Sequence, residues 1–345
     1  MGVDEVVQAQ ADAVDVESLE RAAGEYAPRI DWSKGVDLDD GLASLVKKGE
    51  QSLNGIIKRV LHSSIILLVI VVFSSLASGA VCDMGKMVQI APIAAVLAIS
   101  AVSIADADSL IGLGKETIER INVFSQVLLP AMAAATAAAG APGAAAARQM
   151  ATVLFSDVLL CVIDYLLLPL VYAYLVAVIV AAALNNDGMK RMASTLKWVV
   201  TTVLTVVMMS FVGYLTISGV IAGAADVIAI KATKFTVSSI VPVVGGILSD
   251  AAETVLAGAG ILKNSIGVFG MLVVMGMCIV PFLELGIHYL AYKITATLSA
   301  MIAQPQLVGL IDGLSSGFGL ILGMTGASAL LMLIAMISAI KVAGL

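Results

Sequence analysis

Long apolar runs, cut by short polar clusters, dominate the chain from residue 60 onward. Residues 61–81 and 87–105 are the first two. Each is close to the roughly 20 residues an α-helix needs to cross a bilayer. A polar, amphipathic stretch follows over 106–120, carrying Asp106, Asp108, Lys115, Glu116, Glu119 and Arg120. The next run, 121–139, contains Pro130, and Ala141-Pro142-Gly143 predicts a turn after it. Residues 149–184 are almost uninterruptedly apolar and too many for one span. With Pro169 near the middle, they read as two tightly joined helices or one long kinked helix, and two is preferred. Asn185-Asn186-Asp187-Gly188 ends that run, and 198–221 is the next. A less apolar segment, about 222–264, separates it from 265–280. Pro281 then leads into 282–302, and 318–343 closes the series. The pattern predicts an all-α, polytopic integral membrane protein with about seven or eight transmembrane helices.

The N-terminal 59 residues follow another pattern. They hold 12 acidic and 7 basic side chains, against 13 and 12 in residues 60–345. The chain thus divides into an acidic, water-facing head, 1–59, and a membrane body, 60–345. Residues 16–26 predict a weak helix, broken by Pro28 and Asp31-Trp32-Ser33. From Asp40, Leu42, Leu45, Val46, Leu53, Ile56, Ile57 and Val60 recur at helical spacing, with most charges off that stripe. Such a helix lies along the membrane surface or packs on the protein's own body. Met1 to Ala11 has neither a basic n-region nor an apolar h-region, so no signal peptide is read there.

Composition agrees with the pattern. The mean hydropathy is +1.04, and 13% of residues are charged where a soluble domain has roughly 25%. Three cysteines exclude a disulfide scaffold, and a net charge of −6 argues against nucleic acid. Lys190, Arg191 and Lys197 make 185–197 the most basic loop, which the positive-inside rule places in the cytoplasm. Counting back, two helices in 149–184 put the head outside the cytoplasm, and one helix puts it inside.

Enzyme signatures are missing. Gly112-Leu113-Gly114-Lys115-Glu116 lacks both the first glycine and the magnesium-holding hydroxyl of a phosphate loop. Two histidines, His62 and His288, and three cysteines without ligand spacing give no metal site. No catalytic residues and no cofactor are therefore expected. Charges inside spans carry more information, because each costs a few kcal/mol at mid-bilayer. Asp157 and Asp164, seven apart, share a helix face. They line a polar pathway or serve in helix packing. Glu284 and His288, at i and i+4, form a second same-face pair, for which a local hydrogen bond is the simpler account. Gly319 and Gly323 supply a small-residue packing face.

The most unusual stretch runs from Lys234-Phe235 through Val241-Pro242-Val243-Val244-Gly245-Gly246 to Ser249-Asp250-Ala251-Ala252-Glu253-Thr254-Val255. Physically it is an amphipathic segment, a Pro–Gly–Gly break and a new helix start, with Asp250 placed to cap and Glu253 three residues on. It is a re-entrant element or an ordinary loop. The same residues, followed by Leu262-Lys263-Asn264-Ser265-Ile266-Gly267, closely resemble the stage III sporulation protein AE family. The plan of acidic head and polytopic body extends the resemblance over essentially the whole chain.

That resemblance implies a non-enzymatic membrane subunit of a transport complex in the mother-cell membrane around the forespore. The complex links the two compartments and supports late forespore gene expression. Implied partners are other membrane proteins of the same operon, with a secretion-type ATPase and ring-forming proteins, in a lipid bilayer. Homo-oligomerisation stays open. Family members begin with a cleavable signal sequence. Its absence here implies a trimmed chain whose head lies between the two membranes. The competing expectation from the residues alone is an autonomous secondary transporter using Asp157 and Asp164.

Overall fold

The computed structural model describes residues 3–26, 32, 38–80, 90–138, 151, 155–240 and 244–341, with side chains described throughout except at 3–4, 80, 90, 215, 217–257, 335 and 338–341. All regular structure among them is helical. Two short helices, α1 (Val3–Ala13) and α2 (Val16–Ala23), are joined through Asp15. Asp15 has φ 57°, a left-handed conformation that Asp tolerates better than most residues. Its carboxylate accepts from the Ser18 main-chain N–H at 3.2 Å, capping α2. A 3-10 turn, Gly24–Tyr26, ends this unit close to the break expected there.

Six long helices follow: α3 (Leu38–Ala80), α4 (Ile90–Ala138), α5 (Phe155–Leu184), α6 (Asp187–Ile240), α7 (Val244–Ser299) and α8 (Pro305–Lys341). Each contains a stretch long and apolar enough to cross a membrane. Six such helices among the described residues stand where the hydropathy pattern suggests seven or eight.

The difference has a physical cause at each junction. Residues 106–120 do not interrupt α4, because Ala107, Leu110, Ile111, Ile118 and Ile121 continue a buried helical stripe while Asp108, Lys115, Glu116, Glu119 and Arg120 are exposed. Pro281 does not divide α7, nor Pro130 α4. In an apolar bundle, neighbouring helices and local adjustments re-satisfy the backbone groups a proline frees. Residues 155–184, preferred above as part of two helices, form one helix containing a π turn at Ile163–Leu167. There the Leu168 N–H bonds the Ile163 carbonyl five residues back. Pro169, which has no N–H and crowds the carbonyl four residues before it, follows directly after the widened turn.

Within 222–264 the chain is helical on both sides of 241–243. Lys234 lies in α6, while Gly245, Gly246, Asp250 and Glu253 lie in α7. Asp250 therefore sits inside a helix that begins at Val244 and does not cap it. Pro242 lies outside the described residues, as do the side chains of the other five.

Contacts fix the helix directions. A Cβ on Gly41 of α3 would meet Leu272 of α7, and Ser75 donates to the Ile302 carbonyl just past the end of α7, so these two helices run in parallel. Phe124 of α4 packs on Phe269, and Tyr292 reaches Asp106, so α4 opposes α7. Gly326 faces Phe282 and Asp312 pairs with Lys293, so α8 opposes it too. The helix α3 passes without a break through residues 59 and 60, and α1 and α2 bury Val7 and Leu19 completely in the common core. Trp32 seals this contact, its ring 5.4 Å from Phe269 and its Nε1–H donating to Glu20 at 2.8 Å.

Candidate functional site: a polar layer across the bundle

The helix α7 carries Glu284, His288 and Tyr292 at successive i+4 positions, which places them along one side. Each finds a different neighbour. The Glu284 carboxylate, 12% exposed, pairs with Arg59 of α3. His288 is buried, and its Nδ1–H donates to the Glu284 main-chain carbonyl at 2.8 Å. Its ring meets Phe318 of α8 edge-on. The buried Tyr292 hydroxyl donates to Asp106 Oδ2 of α4 at 2.7 Å, with Ser103 Oγ at 3.4 Å. Lys293, the next residue, pairs with Asp312 of α8. Toward the other side of the bundle, Lys197 of α6 donates to Ser316 Oγ at 3.0 Å, and the Tyr174 hydroxyl of α5 to the Gly313 carbonyl at 2.9 Å. Polar groups from all six long helices thus pair between helices along this stretch of the bundle.

Chemically, the layer is a set of closed pairs. Each carboxylate in it faces a cation or a hydroxyl donor, which is how charges persist in apolar surroundings. The expected Glu284–His288 pair exists through the backbone, while the carboxylate itself goes to another helix. Among the described residues no group of three His, Cys, Asp or Glu side chains is placed to hold a metal ion.

Asp157 and Asp164 lie elsewhere, on α5, both half-buried, with Asp164 inside the π turn. Neither makes a hydrogen bond or ion pair among the described side chains. The structure does not bring them to Glu284 and His288.

The two predicted glycines face different partners. A Cβ on Gly319 would meet the Tyr289 ring of α7 at 3.1 Å, and one on Gly323 would meet Leu204 of α6 at 3.7 Å. The tighter contacts are at Gly313 and Gly317, where an added Cβ would run into Val178 and Leu175 of α5. Sequence reasoning missed them, although Gly309, Gly313 and Gly317 repeat at the four-residue spacing that lets helices approach closely.

A bundle of long apolar helices with its charges paired internally is a polytopic helical membrane protein. The chain belongs to the stage III sporulation protein AE family, which it matches over residues 35–344. It is 24% identical over 202 residues to the stage III sporulation protein AE of Bacillus subtilis (strain 168), a match covering 58% of this chain. The match spans about half the length of that relative, 50%. No solved structure matches the chain. A role in sporulation follows from the family.

Proposed function

We propose that this protein is a non-enzymatic membrane subunit of a transport complex that joins mother cell and forespore and is required for late forespore gene expression. The observation that carries this reading is the family match across residues 35–344, nearly the entire membrane bundle. The closed pairs of the polar layer support a structural role, since they leave no nucleophile and base facing each other there. Energy for transport then comes from a secretion-type ATPase, and ring-forming proteins are the other partners.

The membrane is the mother-cell membrane around the forespore, with the head between the two membranes. Helix directions favour this sidedness. Three helices, α3, α4 and α5, lie between the head and the basic residues Lys190, Arg191 and Lys197. The head and the basic start of α6 are therefore at opposite ends, and the positive-inside rule assigns the basic end to the cytoplasm. The expected counts for 87–139 and 149–184 both change, and the two changes cancel.

Deletion of the gene in its spore-forming host, followed with a late-forespore reporter, tests the proposal. Arrest after engulfment, rescued by the wild-type gene, is expected. Normal spores from the deletion strain would overturn it. The second reading, a secondary transporter, rests on Asp157 and Asp164, half-buried without described partners, with Asp164 inside a π turn, a feature frequent at functional sites. Stable Asp157→Asn/Asp164→Asn protein that fails to rescue favours that reading, and full rescue removes it.

A further inference from the structure

At the basic end of the bundle α5 stops at Leu184, α6 starts at Asp187 and α8 starts at Pro305. There α5 and α6 are joined through Asn185 and Asn186, and the start of α8 faces that junction. Between them lies a cavity of about 250 Å³ whose polar lining comes from Lys190, Ser194, Lys197, Gln306, Asp312 and Ser316. Gly309 forms part of its wall, and a Cβ there would meet nothing within 4 Å. Of the three glycines spaced four apart on α8, two receive α5 and the third opens this space.

The charge inside is positive. Lys190 donates to Asp187 Oδ1 at 3.0 Å and to Asn185 Oδ1 at 3.5 Å. Asp312 is neutralised from outside the cavity by Lys293. Among the described residues, Lys197 pairs with the uncharged Ser316 hydroxyl, at 3.0 Å. The Lys197 ammonium, the Lys190 ammonium shared with Asp187, and two hydroxyls thus line a space open to an anion, with the positive ends of α6 and α8 beside it. The surroundings are apolar. Leu184, Trp198 and Met301 are 67%, 64% and 80% exposed at this end of the bundle. Exposed tryptophan beside lysines marks the headgroup level of a bilayer.

We propose that this cavity is a phosphate site, filled by the headgroup of an anionic phospholipid whose chains lie against the exposed apolar residues around it. Lys197 and Lys190 pair with the phosphate, Ser194 and Ser316 donate to its oxygens, and Gly309 leaves the room it needs. The inference needs only that the chain sits in a bilayer and does not depend on the transport role.

The test uses the full chain in nanodiscs of equal phosphatidylglycerol and phosphatidylcholine, extracted in mild detergent, with retained lipid counted by native mass spectrometry. Selective retention of one phosphatidylglycerol is expected. Lys190→Gln/Lys197→Gln should weaken it by about fivefold per lysine, the scale of one basic residue at an anionic surface. Gly309→Val should block it at unchanged melting temperature, since no neighbour is met there. The charge-matched Lys47→Gln/Lys58→Gln variant, altered on α3, should keep full retention. Equal retention of both lipids, or equal loss in the α3 variant, would overturn the site. Displacement of phosphatidylglycerol by millimolar inorganic phosphate would overturn the lipid assignment in favour of a soluble phosphate ligand.

Discussion

The helices α3 and α7 run side by side in the same direction and are almost equally apolar. Their surroundings differ. In α7, 61% of the most apolar stretch is buried inside the protein, against 33% in α3. Leu61, Ile65, Val69, Phe73 and Leu76 of α3 all face outward, whereas Phe269, Val273 and Val274 of α7 are buried under the head, α4 and α8. Hydropathy reports avoidance of water and is silent on whether lipid or protein replaces it. Packing chemistry separates the two cases, because a protein neighbour punishes a change of shape and a lipid chain accommodates it.

The largest expected contrast comes from removing a ring. Phe269→Ala empties a site shared by Trp32 and Phe124 and should cost about 3–5 kcal/mol. Phe73→Ala, at a residue 68% exposed, should stay within about 0.5 kcal/mol. Melting of the detergent-solubilised chain, followed by tryptophan fluorescence, measures both. Similar losses would mean that α3 is not lipid-facing.

Adding volume sharpens the same comparison. At Gly270 of α7 a Cβ would lie 2.6 Å from Met336 Sδ and 2.7 Å from Leu128, so Gly270→Leu should cost about 1–3 kcal/mol through overpacking. At Gly55 of α3 nothing lies within 4 Å, and Gly55→Leu should leave the melting temperature unchanged or slightly raised.

The ion pair that ties the two helices gives a smaller effect with a diagnostic sign. Arg59 is 62% exposed and Glu284 12%. Arg59→Gln strands a largely buried carboxylate and should cost about 1–2 kcal/mol after discount for the exposed partner. The Arg59→Gln/Glu284→Gln double variant should cost less than that single change. A double variant worse than either single would show that the pair is not what the layer uses there.

The smallest effect lies in the head. Ser18 donates to Asp15 from its hydroxyl and its main chain, holding the Asp15 carboxyl below its usual range. A lowered folded value means that the contribution is complete above the ordinary carboxylate pKa, about 3.9, and fades as acid titrates the folded group. The margin of wild type over Asp15→Ala should therefore be constant between neutral and mildly acidic pH and shrink below it. Hydrogen exchange of α2 relative to α7 checks this, and a margin independent of pH would discount the cap.

Much of this architecture was legible in the residues. Helicity, the division at 185–188 and the amphipathic start of α3 follow from spacing alone. The buried stripe through Ala107, Leu110 and Ile118 was also there to be read. It was masked by the six charges around it, which suggest an interruption unless each is placed on its own face. Pro169 and Pro281 were misleading for another reason. A proline's cost depends on what re-satisfies the freed backbone, and that is supplied by neighbours distant in sequence. The polar layer was half visible. Glu284 and His288 announce themselves by spacing, but Arg59, Asp106 and Asp312 join them only through tertiary contact.

The π turn of α5 also bears on how this chain tolerates changes in length. A helix ordinarily suffers badly from a one-residue deletion, since everything beyond it rotates by about 100°. Here one residue is already surplus at Ile163–Leu167, so a deletion there would restore ordinary winding without breaking the rod. The C-terminal half is clamped where Tyr174, Leu175 and Val178 meet Gly313 and Gly317, so the N-terminal half would take up the whole rotation. The surplus residue is thus an angular setting. It fixes the azimuth at which Asp157 points relative to the glycine seam, and a shorter α5 would remain a good helix aimed in another direction.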